Sequence, residues 1–465
     1  MIRFLAAILV VVTLLTPSFA AEPSPGLSQQ QIASLVASLK MDARTIAATN
    51  AVSNNDIRDL ALSRRVAAVN DDVFSFSLPV KGMTDQESSG RCWMFAGLNI
   101  LRQSVIKKYE LDDFELSQSY LAFWDKLEKA NTFLEYVIEL RDRDILDREL
   151  CFLLDDPIGD GGYWPWVVDL VQKYGVVPKK FMGETKSSAN TSRMDYILTS
   201  LLRRDACELR RMATEKKSVE GLRGEKNKML EGVFRVLVIN YGQPPSEFVW
   251  RTESDSGTVS EPVTCTPQSF YRDIIGVDLA DYVSLANYPL HPLNRRYSVN
   301  LTHGMADGKD FSFINLSDQS IKSYALKALL DSSLVWFGAD MGHDVHGKKG
   351  LMISGLYDYE ELFGVQLDMT KEDRLDYRHS ASNHSMVLTG VDMADGKPSR
   401  WRVENSWGKD RGDDGYFTMS DGWFDEYVLN VVVPRTYLAP EVAALEKQTP
   451  TPLPVWDPAW KALRW

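Results

Sequence analysis

Two hydrophobic periodicities divide this chain, and the division restricts it to folds that segregate helices from a sheet. In residues 27–40 the apolar side chains Ile32, Leu35, Val36 and Leu39 recur at three- and four-residue spacing, with Ser28 placed as a helix cap. Residues 55–69 carry a second amphipathic helical pattern. Residues 92–108 carry a third, through Phe95, Leu98, Leu101 and Val105, and residues 115–147 a charged helical one. A Lys-, Arg- and Glu-rich stretch over residues 200–241 continues the helical half and reads as a solvated face or an insertion. The second half changes character. Residues 333–340, 385–391, 399–405 and 415–419 are short β-rich runs separated by Gly, Asp and Asn turns. A mainly helical front facing a mainly β back across a cleft is the simplest α+β arrangement. Residues 73–80 alternate apolar and polar side chains, as a strand does, and Gln448-Thr449-Pro450-Thr451-Pro452-Leu453-Pro454 reads as an extended linker to the tail.

Between the 73–80 strand and the 92–108 helix runs Asp85-Gln86-Glu87-Ser88-Ser89-Gly90-Arg91-Cys92-Trp93-Met94-Phe95-Ala96. A thiol attacks as thiolate, and a helix N-terminus, with its unpaired N–H groups and positive dipole end, favours that anion. With Gln86 beside Cys92, the glutamine amide donates to the oxyanion that forms when the thiolate adds to a carbonyl. This pair of residue types points to acyl transfer. Such a nucleophile needs a base and an orienter. His384 stands immediately before one β-rich run and Asn405 follows another, so adjacent antiparallel strands bring imidazole and amide together. The amide then holds one imidazole nitrogen and aims the other at Cys92, while Trp407 keeps water off that hydrogen bond. Taken singly, a cysteine is usually a small core hydrophobe, a histidine a packed or surface residue, and Asn-Ser-Trp-Gly a turn. The order Gln, Cys, His, Asn, with the last two in β-rich context, is the specific signal.

Asp160-Gly161-Gly162-Tyr163-Trp164-Pro165-Trp166 breaks the helical pattern. Gly161 and Gly162 suit an extended stretch that a ligand's backbone approaches closely; a turn over core tryptophans is the equal alternative. In His343-Asp344-Val345-His346 the i, i+3 histidines could share a helical face, but two ligands without a third fall short of a metal site. No metal and no cofactor is expected.

The 465 residues, 44% of them hydrophobic, suffice for a large core or two subdomains sharing a cleft. With 64 acidic against 52 basic residues the net charge is -12, so no general attraction to nucleic acid or anionic membrane is expected. Residues 1–20 combine a short positive start, an apolar stretch and small residues before Ala21, the marks of a cleavable secretory signal, so the mature chain is expected to be exported, soluble and without a membrane span. Cys92, Cys151, Cys207 and Cys265 are widely spaced; with Cys92 free as nucleophile, at most one disulfide remains.

Ser89-Gly90-Arg91-Cys92-Trp93 resembles the papain-like cysteine peptidase pattern around its nucleophile, except that Ser89 replaces the cysteine papain uses for a neighbouring disulfide. The chain is more closely similar to bleomycin hydrolase and its bacterial relatives, the papain-like cysteine aminopeptidases. The similarity runs in order through Asn50-Ala51-Val52, the full run from Gln86 to Ala96, Asp160-Gly161-Gly162, Lys173-Tyr174-Gly175-Val176-Val177-Pro178-Lys179, Val335-Trp336-Phe337-Gly338, Met386-Val387-Leu388-Thr389, Glu404-Asn405-Ser406-Trp407-Gly408 and Leu453-Pro454-Val455-Trp456-Asp457-Pro458. The resemblance implies a papain-like two-subdomain core over residues 21–447 with an N-terminal helical arm and large helical insertions, and a C-terminal arm, residues 448–465, in the cleft. It implies peptide substrates, with Cys92 as nucleophile, His384 as base then acid, Asn405 as orienter, and Gln86 with the Cys92 N–H as oxyanion hole. It also implies a homohexamer whose arm carboxylate, at Trp465, pairs with a substrate's α-amino group and makes the enzyme an aminopeptidase. The tail Ala459-Trp460-Lys461-Ala462-Leu463-Arg464-Trp465 is longer and bulkier than the family's short Met-Gly-Ala-Leu-Ala-like ending. An endopeptidase or dipeptidyl peptidase is the alternative if that carboxylate lies elsewhere, and a catalytically silent peptide-binding assembly is the alternative outside enzymes.

Overall fold

The computed structural model describes residues 25–68 and 71–459, which fall into two compact units: residues up to Ala61 with Tyr359–Val365, and the remainder. The expected secretory signal, residues 1–20, and Trp465 lie outside the described residues.

The smaller unit contains the helices Gln29–Ser38, Ala43–Val52, Ile57–Ala61 and Tyr359–Phe363. Ser28 caps the first as its sequence predicts. Its hydroxyl accepts the Gln31 N–H while the Gln31 side chain accepts the Ser28 N–H, satisfying two otherwise unpaired donors. The Ala43–Val52 helix, capped by Asp42, has no counterpart in the sequence reading.

In the larger unit, the helix expected over residues 55–69 ends as a short piece, Arg64–Ala68. It is interrupted because Leu62 pairs with Tyr357 and the Ser63 N–H donates to Leu356, committing that backbone elsewhere. Longer helices follow among the described residues: Cys92–Tyr109, Gln118–Glu139, Trp164–Tyr174, Ser192–Thr214, Val219–Tyr241 and, in the second half, Asp318–Leu330. Ser192–Thr214 and Val219–Tyr241 replace the single stretch expected over 200–241; the chain reverses through Lys216, which takes a left-handed φ of 62°. Each presents one buried face and one solvated face. Val219–Tyr241 packs on Gln118–Glu139 and buries Leu222, Met229, Val233 and Leu237, each contributing about 1.5–3 kcal/mol of apolar transfer, with Lys226 reaching Asn131 at 2.6 Å and pairing with Glu135.

The second half builds one twelve-stranded sheet. Its order is Thr451–Leu453, Arg295–Val299, Ser312–Asn315, Tyr282–Ala286, Val428–Pro434, Val335–Ala339, His384–Ala394, Lys397–Glu404, Tyr416–Ser420, Leu351–Met352 and Val345–His346, with Phe76–Ser77 added beside His384–Ala394. The four predicted β runs are all strands. The strand expected over 73–80 shrinks to Phe76–Ser77, and the expected 448–454 linker contributes Thr451–Leu453, paired in parallel with Arg295–Val299. Val428–Pro434 lies between two other strands, and its run of Val428, Leu429, Val431, Val432 and Val433 is almost wholly buried, so it shows no alternation.

Two register facts place the site. His384 pairs with Ala339, and Val387 with Glu404, so the chain leaving Glu404 runs back beside His384. The Cys92–Tyr109 helix packs on that same His384 strand, with Trp164–Tyr174 also against it.

Candidate active site

Cys92 is the first residue of its helix, and Arg91 before it supplies no side-chain cap, its backbone carbonyl instead accepting the Met94 and Phe95 N–H groups at 3.0 Å. Arg91 is turned inward instead, pairing with both oxygens of Glu184 and donating to the Ser188 carbonyl at 2.8 Å. The thiol is 2% exposed. Burial pushes it up to about 12, while the N–H groups of Ser385 and Trp93 oppose this by favouring the thiolate. The Ser385 contact fixes the start of the His384 strand against the nucleophile.

His384, also buried, places Nε2 2.7 Å from Asn405 Oδ1. The same oxygen accepts the Ser406 N–H at 2.8 Å, so the atom facing the imidazole is the amide oxygen. Nε2 therefore carries the proton and Nδ1 of neutral His384 is left as the acceptor. Burial lowers the imidazole to about 4, and the Asn405 hydrogen bond works the other way. Trp407 covers the pair with its ring centroid 4.8 Å from that of His384, as a shield should.

Gln86 is held on three sides. Its N–H donates to the Ser406 carbonyl at 2.9 Å, its Oε1 accepts the Ser406 hydroxyl at 2.7 Å, and its Nε2 donates to the Ser89 carbonyl at 2.6 Å. The second Nε2 hydrogen has no partner among these. Asp85 pairs with Trp407, and the Gly408 N–H donates to the Thr84 carbonyl, so the Gln86 loop and the Asn405 loop are one laced unit. Behind them the buried pair Arg102 and Glu404 ties the Cys92 helix to the strand that delivers Asn405. The structure thus brings Cys92, His384, Asn405, Gln86 and Trp407 into one neighbourhood.

Gly161 and Gly162 divide. A Cβ on Gly162 would sit 2.4 Å from the Trp93 indole, so this glycine is required by core packing, the alternative that the sequence left open. Gly161 is half-buried and its carbonyl accepts Lys129 Nζ at 2.6 Å. Beside it opens a cavity of about 110 Å³, lined by Phe133, Ile158, Tyr163 and Trp166 but also by Lys129, Asp156 and His303. His343 and His346 share no helical face: Val345–His346 is a short strand, and His346 Nδ1 accepts the Lys349 N–H. Among the described residues no cluster of three or more metal-ligating side chains forms. All four cysteines are free thiols.

Sequence reasoning missed Ser406, which orients both Asn405 and Gln86, although its position next to Asn405 was visible. It also missed Lys126 and the Asp160 carboxylate, whose pairing at 2.8 Å has no spacing signal.

The model of the peptidase C1-like family matches residues 26–459. The chain is 38% identical over 416 residues to aminopeptidase C of Lactobacillus helveticus, covering 88% of this chain and 93% of that one. It is 37% identical over 447 residues to bleomycin hydrolase of Homo sapiens, covering 94% and 98%. The solved structure of PepW from Lactobacillus rhamnosis superposes with a TM-score of 0.91 at 37% identity, covering 94% of this chain and 99% of that one. The papain-like α+β fold expected from the sequence is the fold observed.

Proposed function

The chain belongs to the peptidase C1-like family, and on that premise we propose that it is a cysteine-type aminopeptidase that releases N-terminal residues from peptides through a thioester. The observation that carries this reading is the Asn405 oxygen, which accepts from both Ser406 and His384 and so leaves Nδ1 to receive the Cys92 proton.

Burial penalises the thiolate and the imidazolium separately, and transfer of the thiol proton to His384 creates both charges together, so that each stabilises the other. The thiolate adds to the peptide carbonyl carbon; the oxyanion takes the free Gln86 Nε2 hydrogen and the Cys92 N–H. His384 gives its proton to the amine, the C–N bond breaks, and the N-terminal residue is left as a thioester. His384 then takes a proton from water, whose oxygen displaces the sulfur and regenerates the thiol.

The order of charged, apolar and small residues in positions 1–20 supports export, so the substrates are peptides met outside the cytoplasm. Resemblance supports a homohexamer and a C-terminal arm, of which Thr451–Leu453 is held as a strand beside Arg295–Val299. Fractionation and sedimentation measurements test these two statements.

For the reaction, Cys92→Ala is expected to abolish hydrolysis of a free-amino fluorogenic amide with the fold intact; retained activity overturns the mechanism. An N-acetylated amide is expected to be a poor substrate. Equal rates on the two would instead make the enzyme an endopeptidase.

A further inference from the structure

We propose that Asp160 is a positioning residue for the oxyanion hole, acting through the peptide that joins Ser89 to Gly90. That peptide is gripped at both ends. Its N–H donates to Asp160 Oδ2 at 2.7 Å, and its carbonyl is the acceptor that holds Gln86 Nε2 at 2.6 Å. Any rotation of this peptide turns the glutamine amide with it. Asp160 also reaches past the nucleophile: its backbone carbonyl accepts the Trp93 indole N–H at 2.8 Å, so one residue fixes both neighbours of the Arg91-Cys92 pair.

Asp160 is itself rigid. Oδ2 further accepts the Thr191 hydroxyl at 2.5 Å, and Oδ1 pairs with Lys126 Nζ at 2.8 Å, which in turn pairs with Asp195 at 2.7 Å. Burial favours the neutral acid, but Lys126 and the hydrogen bonds outweigh it and hold the carboxyl well below the usual carboxylate range. A Cβ on Gly90 would lie 2.8 Å from the Asp160 Cβ, so the close approach needs glycine there. Where papain ties this loop with a disulfide, Ser89 cannot, and an ionic clamp occupies the neighbourhood.

The sign of the charge separates positioning from activation. A negative Asp160 raises the Cys92 thiol rather than lowering it, so its presence does not help make the nucleophile. Its benefit lies in where the donors point.

The inference rests on the thioester reading above, and the test separates the two. Alkylation of Cys92 by iodoacetamide needs the thiolate but forms no oxyanion; amide hydrolysis needs both. In the full-length enzyme, Asp160→Ala is expected to lower kcat/KM for a free-amino amide roughly 10- to 100-fold, the scale of a displaced catalytic group. The alkylation rate is expected not to fall, because the thiol is left in place and loss of the Asp160 charge eases formation of the thiolate. In a Gln86→Ala background the same substitution is expected to cost less than about threefold more, because both act on one donor. Should Asp160→Ala fail to fold, the isosteric Asp160→Asn carries the test, since an amide offers an acceptor to Gly90 or to Lys126 but not to both. Equal loss of alkylation and hydrolysis, or full multiplication with Gln86→Ala, overturns the inference. Hydrolysis surviving in Cys92→Ala overturns the mechanism beneath it instead.

Discussion

The helices Gln29–Ser38 and Cys92–Tyr109 are stabilised by opposite means. The first has a complete reciprocal cap at Ser28 and Gln31 and no buried residue. The second has no side-chain cap, yet every residue from Cys92 to Arg102 is buried. A helix on the surface must satisfy its own terminal N–H groups, whereas a helix inside the protein can do without a side-chain cap at its first N–H groups because packing fixes it. The open end is then available to a thiolate and an oxyanion. The missing cap on the Cys92 helix is thus part of what makes it useful.

Three substitutions break or sharpen this contrast. Arg102→Met removes the partner of buried Glu404 and is expected to cost about 3–5 kcal/mol in urea unfolding. Burial already raises the Glu404 carboxyl and Arg102 opposes this, so in the variant Glu404 takes up a proton more readily and the loss shrinks as pH falls. A loss below about 1 kcal/mol would mean that the interior helix does not depend on this tie. Asn405→Ala is expected to reduce kcat/KM roughly 10²-fold by freeing the imidazole from its productive orientation. An acid limb in the pH profile of kcat/KM is expected from His384, whose burial lowers it to about 4. Activity is expected to persist above that value and to be lost as pH falls through it. The Asn405 hydrogen bond raises the imidazole, so its removal is expected to move the limb to lower pH; an unmoved limb assigns it to another group. Smallest is Ser28→Ala, expected to cost about 1 kcal/mol at the capped end alone. Faster amide exchange at Gln31 and Ile32, with an unchanged global unfolding midpoint, is the expected signature, and a shifted midpoint would show that the first helix is not locally held.

What could be read from the chain follows the same contrast. Ser28 and its apolar spacing were legible because capping and periodicity are local. The catalytic set was legible because four residue types in a fixed order, two of them beside β-rich runs, rarely coincide. Strands Tyr282–Ala286, Arg295–Val299 and Ser312–Asn315 were not found: they are short, and their partners, not their own pattern, make them strands. The break at Lys216 was hidden because two helices of similar charge abut there. Gly162 was ambiguous because a glycine facing a ligand and one facing Trp93 look alike in sequence. The Asp160 clamp was invisible, since its partners Gly90, Lys126 and Thr191 come from three separate segments.

The hydrogen bond from Ser406 to Gln86 joins residues 320 positions apart. During synthesis the thiol therefore emerges long before its base and its orienter. A chain stopped short of His384 has the nucleophile but neither its base nor its orienter, and its Gln86 lacks the Ser406 hydroxyl. The reacting set is therefore closed only when the strands carrying His384 and Asn405 join the Cys92 helix.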